Sequence, residues 1–87
     1  LGGVCLNVGC IPSKALLHLA RVLDETHELE AAGIRFGKPK LDSAQMLAWK
    51  NSVVGKLTGG LKALAKQRKV EVVTGRASFS GTHTLHV

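Results

Sequence analysis

Two cysteines lie five positions apart near the start of this chain, in residues 5–10 (CLNVGC). Cys5 and Cys10 are the only cysteines among the 87 residues, and Pro12 and Lys14 follow them closely. A thiol pair of this kind can bind a metal ion, lie inertly in a core, or form a disulfide that carries electrons. The residues around the pair discriminate between these three kinds of chemistry.

A metal site would need more ligands than the cysteine pair provides. Structural zinc takes four ligands, usually as two close pairs. The candidates that remain are the four histidines, and none of them repeats a zinc-finger spacing with the cysteines. We therefore predict that no metal site is formed by the cysteines together with His18, His27, His83 and His86.

Glycines surround both cysteines, which is unusual for a pair of inert core thiols. Free cysteine is among the most buried residue types, so two unrelated buried cysteines are the simplest alternative. Gly2 and Gly3 precede Cys5, however, and Gly9 precedes Cys10. Core positions rarely need so much special backbone, and the pattern therefore favours a disulfide with redox chemistry.

The spacing of the cysteines restricts where a bond between Cys5 and Cys10 can form. In a regular helix, residues five apart have Cα atoms roughly 8–9 Å apart, whereas a disulfide needs about 7 Å or less. The helix must be distorted or begin between them, and Asn7 and Gly9 tolerate such a backbone. This predicts Cys10 at a helix N-terminus, whose partial positive charge stabilises a thiolate, with Lys14 one turn further on the same face.

Two helices account for most of the chain. Apolar residues at three- and four-residue spacing predict a first helix over residues 11–32, ended by Gly33. The second helix begins at Asp42, which together with Gln45 resembles a capping box, and it extends to residue 69. Gly59 and Gly60 interrupt its apolar stripe, and we expect close packing against this pair.

Strands are predicted only at the end of the chain. The β-branched residues 70–74 read as a strand, residues 77–79 as a second short strand, and residues 84–87 as a third. The chain is therefore interpreted as one partial domain with three segments: 1–33 with the cysteines and the first helix, 42–69 with the second helix, and 70–87 with the strands.

The chain is basic, with a formal net charge of +6. Its densest basic stretch has no interleaved aromatic residues for base stacking, and it reads as a solvated helix end that complements the helix dipole. No apolar run approaches the roughly 20 residues needed to cross a bilayer, and no signal peptide is present. We therefore predict neither nucleic acid nor a membrane as a partner. The basic stretch comprises Lys62, Lys66, Arg68 and Lys69.

Residues 2–14 (GGVCLNVGCIPSK) closely resemble the redox-active motif of the pyridine nucleotide–disulfide oxidoreductases, which are FAD enzymes. The continuation 15–18 (ALLH) and the stretches 49–50, 57–61 and 68–70 resemble most the branch that oxidises dihydrolipoamide. The motif is long and specific, and the resemblance runs the length of the chain. It implies an oxidoreductase in which electrons pass from dihydrolipoamide through the disulfide and FAD to NAD.

The resemblance also implies roles for individual residues. Cys10 would be the thiol against the flavin in a charge-transfer interaction, and Cys5 the interchange thiol that attacks the lipoyl disulfide. Lys14 would lie near the flavin, and Ala77 would touch the adenosine end of FAD through its backbone. The implied cofactor-binding residues are Leu1, Gly2, Gly3, Val4, Cys5, Lys14 and Ala77.

The fold implied is an α+β fragment, a two-helix hairpin packed on a small sheet, cut from a Rossmann-like α/β FAD-binding domain. The chain opens on Leu1 rather than Met and has no Gly-x-Gly-x-x-Gly turn, so we expect an internal piece of a longer polypeptide. The NAD site would lie outside the piece, which we expect to be inactive alone. The parent would be a cytoplasmic homodimer whose partner is the lipoyl-bearing acyltransferase of a 2-oxoacid dehydrogenase complex.

Two further interpretations stay open at the level of sequence. One is another flavin disulfide reductase, of the glutathione- or mercuric-reductase kind, running towards substrate reduction. The other is a small basic binding module without catalysis, in which the stretch from Lys62 to Lys69 docks an anion or nucleic acid. A third interpretation, favoured for the isolated piece, is that it has no function of its own.

Overall fold

Helices dominate the computed structural model, which describes all residues from Leu1 to Val87. In chain order the elements are α1 (Gly3–Asn7), α2 (Cys10–Glu28), a 3₁₀ turn (Leu29–Ala32), α3 (Ser43–Gln67), β1 (Ser78–Phe79) and β2 (Leu85–His86). The two predicted long helices are therefore present, and a separate short helix carries Cys5.

The first long helix follows its sequence signals. Pro12 lies in the first turn of α2, where its missing N–H removes no intrahelical bond. After Glu28 the helix tightens into the 3₁₀ turn, and Gly33 ends it in the left-handed conformation with φ 87°. The N–H groups of Gly33 and Ile34 donate to the carbonyls of Glu30 and Leu29, both at 3.0 Å.

Asp42 caps α3 as the sequence predicts. It has an extended backbone, and its Oδ1 accepts a hydrogen bond from the N–H of Gln45 at 3.1 Å. That bond satisfies one of the N–H groups that have no partner within the first turn of a helix.

Replacing Asp42 by alanine is therefore expected to destabilise α3 by about 1 kcal/mol. Helix content followed by circular dichroism during thermal unfolding measures the loss. Asp42→Asn retains a side-chain acceptor at the same position and should unfold like the original chain. Equal unfolding of Asp42→Ala and Asp42→Asn would show that the cap contributes nothing.

The glycine pair in α3 corrects one expectation. The helix is continuous through Gly59 and Gly60, and a Cβ at either position would meet no atom within 4 Å. The expectation of close packing against Gly59 and Gly60 is therefore wrong. The helix continues because each added residue inside an existing helix forms one more hydrogen bond without repeating the cost of nucleation.

The sheet is smaller than the sequence predicts. Only β1 and β2 pair, antiparallel, with Ser78 opposite His86 and Phe79 opposite Leu85. The predicted strand at residues 70–74 is absent, since no other strand pairs with it. A β-branched segment has the propensity for a strand, but a strand also needs a hydrogen-bonding neighbour.

The helices contact one another, but the β-hairpin contacts none of them. Leu19 of α2 lies beside Met46 and Trp49 near the start of α3, whereas Leu1 lies beside Lys62 and Ala65 near its end. Residues 1–10, the redox segment that holds both cysteines, therefore run with α2 antiparallel to α3, as in a helical hairpin. The expectation that the two-helix hairpin packs on the sheet is wrong, because two-residue strands offer too little apolar surface to cover a helix.

Very little of the chain is buried. Only Pro12 and Ala15 are buried among 87 residues. The radius of gyration is 20.2 Å, compared with about 12 Å for a compact domain of this length. Both buried residues lie in the first turns of α2, next to the cysteines, so the one packed region of the chain is the region that holds the thiols.

One helical stretch, Gly3–Ala32, is long and apolar enough to cross a membrane by length and composition. This corrects the expectation that no such stretch exists, which considered only uninterrupted apolar runs. The stretch is broken between α1 and α2 at Gly9 and carries the charged Lys14. Core helices of soluble proteins meet the same criterion, so the absence of a membrane partner stays a prediction.

Candidate redox site

The backbone before Cys5 is shaped by two glycines in left-handed conformations. Gly2 has φ 90° and Gly3 has φ 62°, values that side-chain-bearing residues rarely adopt. A Cβ on Gly2 would also lie 2.8 Å from the Cβ of Leu6. The Cβ position of Gly3, in contrast, faces open space. The glycines thus let the chain enter α1 by a tight turn and leave its backbone accessible on one side.

The two cysteines lie on either side of a break between helices. Cys5 is in the middle of α1, and Cys10 is the first residue of α2. Val8 closes α1 by donating its N–H to the carbonyl of Val4 at 3.0 Å, and the backbone then turns at Gly9. The prediction that the regular helix is interrupted between the cysteines, with Cys10 at a helix N-terminus, is confirmed.

Gly9 allows a close approach between two backbone segments. Its φ is −120°, outside the left-handed region. A Cβ at this position would lie 3.0 Å from the carbonyl oxygen of Val4 and 3.3 Å from the Cα of Cys5. The prediction that Gly9 permits the change of backbone direction agrees with this position, and the structure adds a second reason, which is the close approach of the start of α2 to the backbone of Cys5.

Both cysteines are free thiols exposed to solvent, and the two side chains act on each other. The pKa of Cys5 is raised above its ordinary value of 9.0. Hydrogen bonding with the Cys10 side chain is the main cause, followed by partial removal from water and by the negative charge of Cys10. The Cys10 backbone and the charge of Lys14 act in the opposite direction and lower this pKa. The break therefore leaves Cys10 near enough to influence the ionisation of Cys5.

The positive charge of Lys14 favours a thiolate, as the sequence suggests, but it is not the largest influence on the pKa of Cys5. Lys14 lies one turn beyond Cys10 on α2 and is exposed. Its positive charge favours the thiolate of Cys5, but the causes that favour the protonated thiol are larger. No side chain caps the N-terminus of α2, so the first-turn N–H groups beside Cys10 have no side-chain acceptor.

The raised pKa makes alkylation of Cys5 in the reduced chain dependent on pH. Only the thiolate reacts, so half-maximal alkylation by iodoacetamide is expected above pH 9.0. Lys14→Met should raise that pH further because it removes a favourable charge, whereas Lys38→Met in the connecting loop should not. Mass spectrometry of the Cys5 peptide measures both. Identical profiles for the two lysine variants would contradict the effect of Lys14.

The same shift links the Cys5 proton to folding. A pKa raised in the folded chain means that folding favours the protonated thiol. The stability from this group is therefore present below the ordinary pKa of 9.0 and is lost as the pH rises through the folded-state value.

The remaining predicted cofactor-binding residues fall in two separate places. Leu1 and Gly2 precede α1, Gly3 and Val4 are its first residues, and all four are exposed. Ala77 comes immediately before β1, in the exposed part of the chain whose hairpin contacts no helix. The structure therefore brings the residues from Leu1 to Lys14 together at one site and leaves Ala77 apart from them.

A cleft of about 450 Å³ lies next to the redox segment. Leu1 lines it together with Lys62 and Lys66 from the end of α3 and with Val70 and Val72 beyond it. Two of the four basic residues singled out in the sequence thus lie beside the start of the redox segment. No three His, Cys, Asp or Glu side chains are grouped so that they could hold a metal ion.

Asn7 is a residue of this site that sequence reasoning did not identify beyond its tolerance of unusual backbone. Its side-chain Nδ2 donates to the carbonyls of Leu1 and Gly3, both at 2.9 Å. Asparagine side chains often bond to nearby backbone groups, so an asparagine four residues after a glycine pair was the signal in the sequence for these bonds. Which two carbonyls it reaches depends on the backbone turn that the glycines make.

No protein-family model matches the chain. Three curated proteins named dihydrolipoyl dehydrogenase are similar to it over nearly its whole length. That of Vibrio cholerae is 56% identical over 87 residues, all of this chain and 18% of the relative. That of Haemophilus influenzae is 56% identical over 85 residues, 98% of this chain and 18% of the relative. That of Halobacterium salinarum is 44% identical over 86 residues, 99% of this chain and 18% of the relative. The chain therefore spans less than a fifth of the length of these relatives.

Proposed function

We propose that this chain is part of a dihydrolipoyl dehydrogenase, as its similarity to relatives of that name indicates, and that Cys5 and Cys10 form the redox-active disulfide of the enzyme. The enzyme would oxidise dihydrolipoamide to lipoamide with NAD as the final acceptor. The observation that carries this proposal is the position of two exposed thiols on either side of the break between α1 and α2, where the start of α2 closely approaches the backbone of Cys5. A pair held this way can open and close a disulfide without unfolding either helix.

The thiol chemistry balances as two exchange steps. One thiolate of dihydrolipoamide attacks the sulfur of Cys5, which breaks the Cys5–Cys10 bond and leaves Cys10 as a thiolate. The second thiol of the substrate then attacks the mixed disulfide, which releases lipoamide and leaves Cys5 reduced. Two electrons have then moved from the substrate to the cysteine pair, one substrate proton is on Cys5, and the other was released to solvent when the attacking thiolate formed, which leaves Cys10 as a thiolate.

Cys10 suits the role of the thiol that passes electrons onward. It starts α2, where the helix dipole and the uncapped N–H groups favour a negative sulfur. Cys5, whose pKa is raised above its ordinary value, suits the role of the thiol exchanged with substrate. These assignments agree with the roles that the sequence motif implies.

The residues around the pair fit a flavin. The left-handed turn at Gly2 and Gly3 exposes the backbone from Leu1 to Cys5, and a Cβ at Gly3 would project into open space. Lys14 adds a positive charge one turn from Cys10. FAD bound here would accept two electrons from the reduced pair and deliver them to NAD. The position of Ala77 in this site is proposed from the motif alone.

The assembly that we propose follows from the same premise. The chain would be part of a Rossmann-like FAD-binding domain in a cytoplasmic homodimer, with the NAD site in a different part of the polypeptide. Its substrate would be carried by the lipoyl-bearing acyltransferase of a 2-oxoacid dehydrogenase complex. Among the flavin disulfide reductases, the named relatives favour this member over glutathione- or mercuric-reductase-like ones.

An absorption spectrum of the full-length gene product, taken anaerobically before and after addition of dihydrolipoamide, tests the proposal. We expect a flavin spectrum that develops a long-wavelength band on reduction, because a thiolate then lies against the flavin. A colourless protein would refute the proposal. The 87-residue chain alone is expected to retain no stoichiometric flavin, and glutathione disulfide in place of lipoamide is expected to support no NADH oxidation.

A further inference from the structure

The structure assigns to Asn7 the role of a positioning residue for the Cys5–Cys10 pair. Its side-chain amide holds the backbone on both sides of the glycine turn, which fixes Cys5 relative to Cys10. This inference rests on the proposed redox function, and it concerns how the chain sets the equilibrium between the dithiol and the disulfide.

The short helix that carries Cys5 has little to stabilise it. α1 contains five residues, and helices of that length are unstable in isolation. No side chain caps its N-terminus, and the N–H of Leu6 donates to the carbonyl of Gly2 at a long 3.3 Å. Its geometry must therefore be held by contacts other than its own backbone bonds.

Besides the contacts of α1 with α2 and α3, Asn7 holds the helix from its last position. Both N–H groups of its amide are used, one on the carbonyl of Leu1 and one on that of Gly3, each at 2.9 Å. The two bonds span Gly2 and Gly3, which are the residues with the greatest conformational freedom in the segment. Cys5 lies between Gly3 and Asn7, inside the loop that the second bond closes.

Without these bonds, the glycine turn would sample more conformations and α1 would fray. Cys5 would then spend less time in contact with Cys10, and the effective concentration of one thiol at the other would fall. Gly9 packs against Val4 and Cys5 from the side of α2, and Leu1 lies beside the end of α3. The two bonds of Asn7 add to this packing by tying the backbone on both sides of Gly2 directly to α1.

The test measures the dithiol–disulfide equilibrium of the full-length gene product in glutathione buffers, read by alkylation and mass spectrometry of the Cys5–Cys10 peptide. Removing both bonds should lower the equilibrium constant for disulfide formation on the order of tenfold, because a less constrained Cys5 meets Cys10 less often. That is a midpoint potential about 30 mV less negative. Asn7→Leu removes both donors without adding charge, and Asn7→Asp removes them at nearly constant shape.

Two further variants make the result specific. Val8→Ala alters the neighbouring exposed side chain and should leave the equilibrium unchanged. Asn7→Ser is the milder variant, because a serine hydroxyl can donate to the carbonyl four residues back but has only one donor. An intermediate shift is expected, and this variant supplies the measurement if the larger changes prevent folding.

A second readout separates positioning from general stability. The pKa of Cys5 is raised mainly by the Cys10 side chain. In reduced Asn7→Leu and Asn7→Ser the pH of half-maximal Cys5 alkylation should therefore fall back towards its ordinary value. An unchanged equilibrium and an unchanged alkylation profile would overturn the role of Asn7 alone. If the unmodified protein formed no Cys5–Cys10 disulfide, the proposed function and the role of Asn7 would both be overturned.

Discussion

Replacing Cys10 by serine in the full-length protein is expected to lower the rate of NADH formation from dihydrolipoamide by at least about a thousandfold. The hydroxyl cannot form the disulfide, so electrons from the substrate have no acceptor in the protein. Cys5→Ser should cause a loss of similar size, because the two thiols act as one unit. NADH absorbance under saturating substrate measures both rates.

The absorption spectrum distinguishes the two cysteines even though both variants are inactive. The long-wavelength band should be absent in Cys10→Ser and retained in Cys5→Ser, since Cys10 is assigned to the flavin side. Ser13→Ala, which changes a neighbouring residue of α2 outside the pair, serves as the control and should keep full activity. Retention of the band in Cys10→Ser would exchange the two roles, and substantial activity in both variants would refute the redox function.

Gly9→Ala is expected to separate the two thiols. The new methyl group would lie 3.0 Å from the Val4 carbonyl and 3.3 Å from the Cα of Cys5, and both are backbone atoms that cannot turn aside. α1 must therefore move, at a cost of about 1–3 kcal/mol. Because that movement carries Cys5 away from Cys10, disulfide formation should fall by roughly tenfold or more. Unfolding by denaturant and the alkylation assay measure the two effects.

Gly55→Ala is the matched control for this change. It adds the same methyl group within α3, where no atom lies within 4 Å. Alanine favours a helix over glycine by up to about 1 kcal/mol, so this variant should be neutral or slightly stabilised. The explanation from close packing fails if Gly9→Ala and Gly55→Ala behave alike in both assays.

The sequence predicted the starts and ends of helices, because these depend on residues close to one another along the chain. The cap at Asp42 and the stop at Gly33 could be predicted because each depends on residues within one turn. The break between the cysteines could also be predicted, because two residues five apart in a continuous helix have Cα atoms too far apart for a disulfide to join them. The pair itself was identified from residue type and spacing.

Contacts between segments could not be predicted in the same way. Residues 70–74 have the composition of a strand, yet whether they pair depends on a second strand that their own sequence does not specify. The glycines of α3 were expected at a packed interface, but empty space lies beside Gly59 and Gly60. A glycine indicates that a close approach is possible, whereas only the neighbouring element decides whether it occurs.

The sequence by itself determined the two cysteines, the helix that starts at Cys10, and the resemblance that points to flavin-linked disulfide chemistry. The tertiary structure decided why Gly9 is needed, which carbonyls Asn7 holds, and which thiol has the raised pKa. The physical reason is that residue type and spacing restrict the local backbone. Distances between side chains and backbone atoms across a turn depend on dihedral angles that are fixed only when the segments pack together.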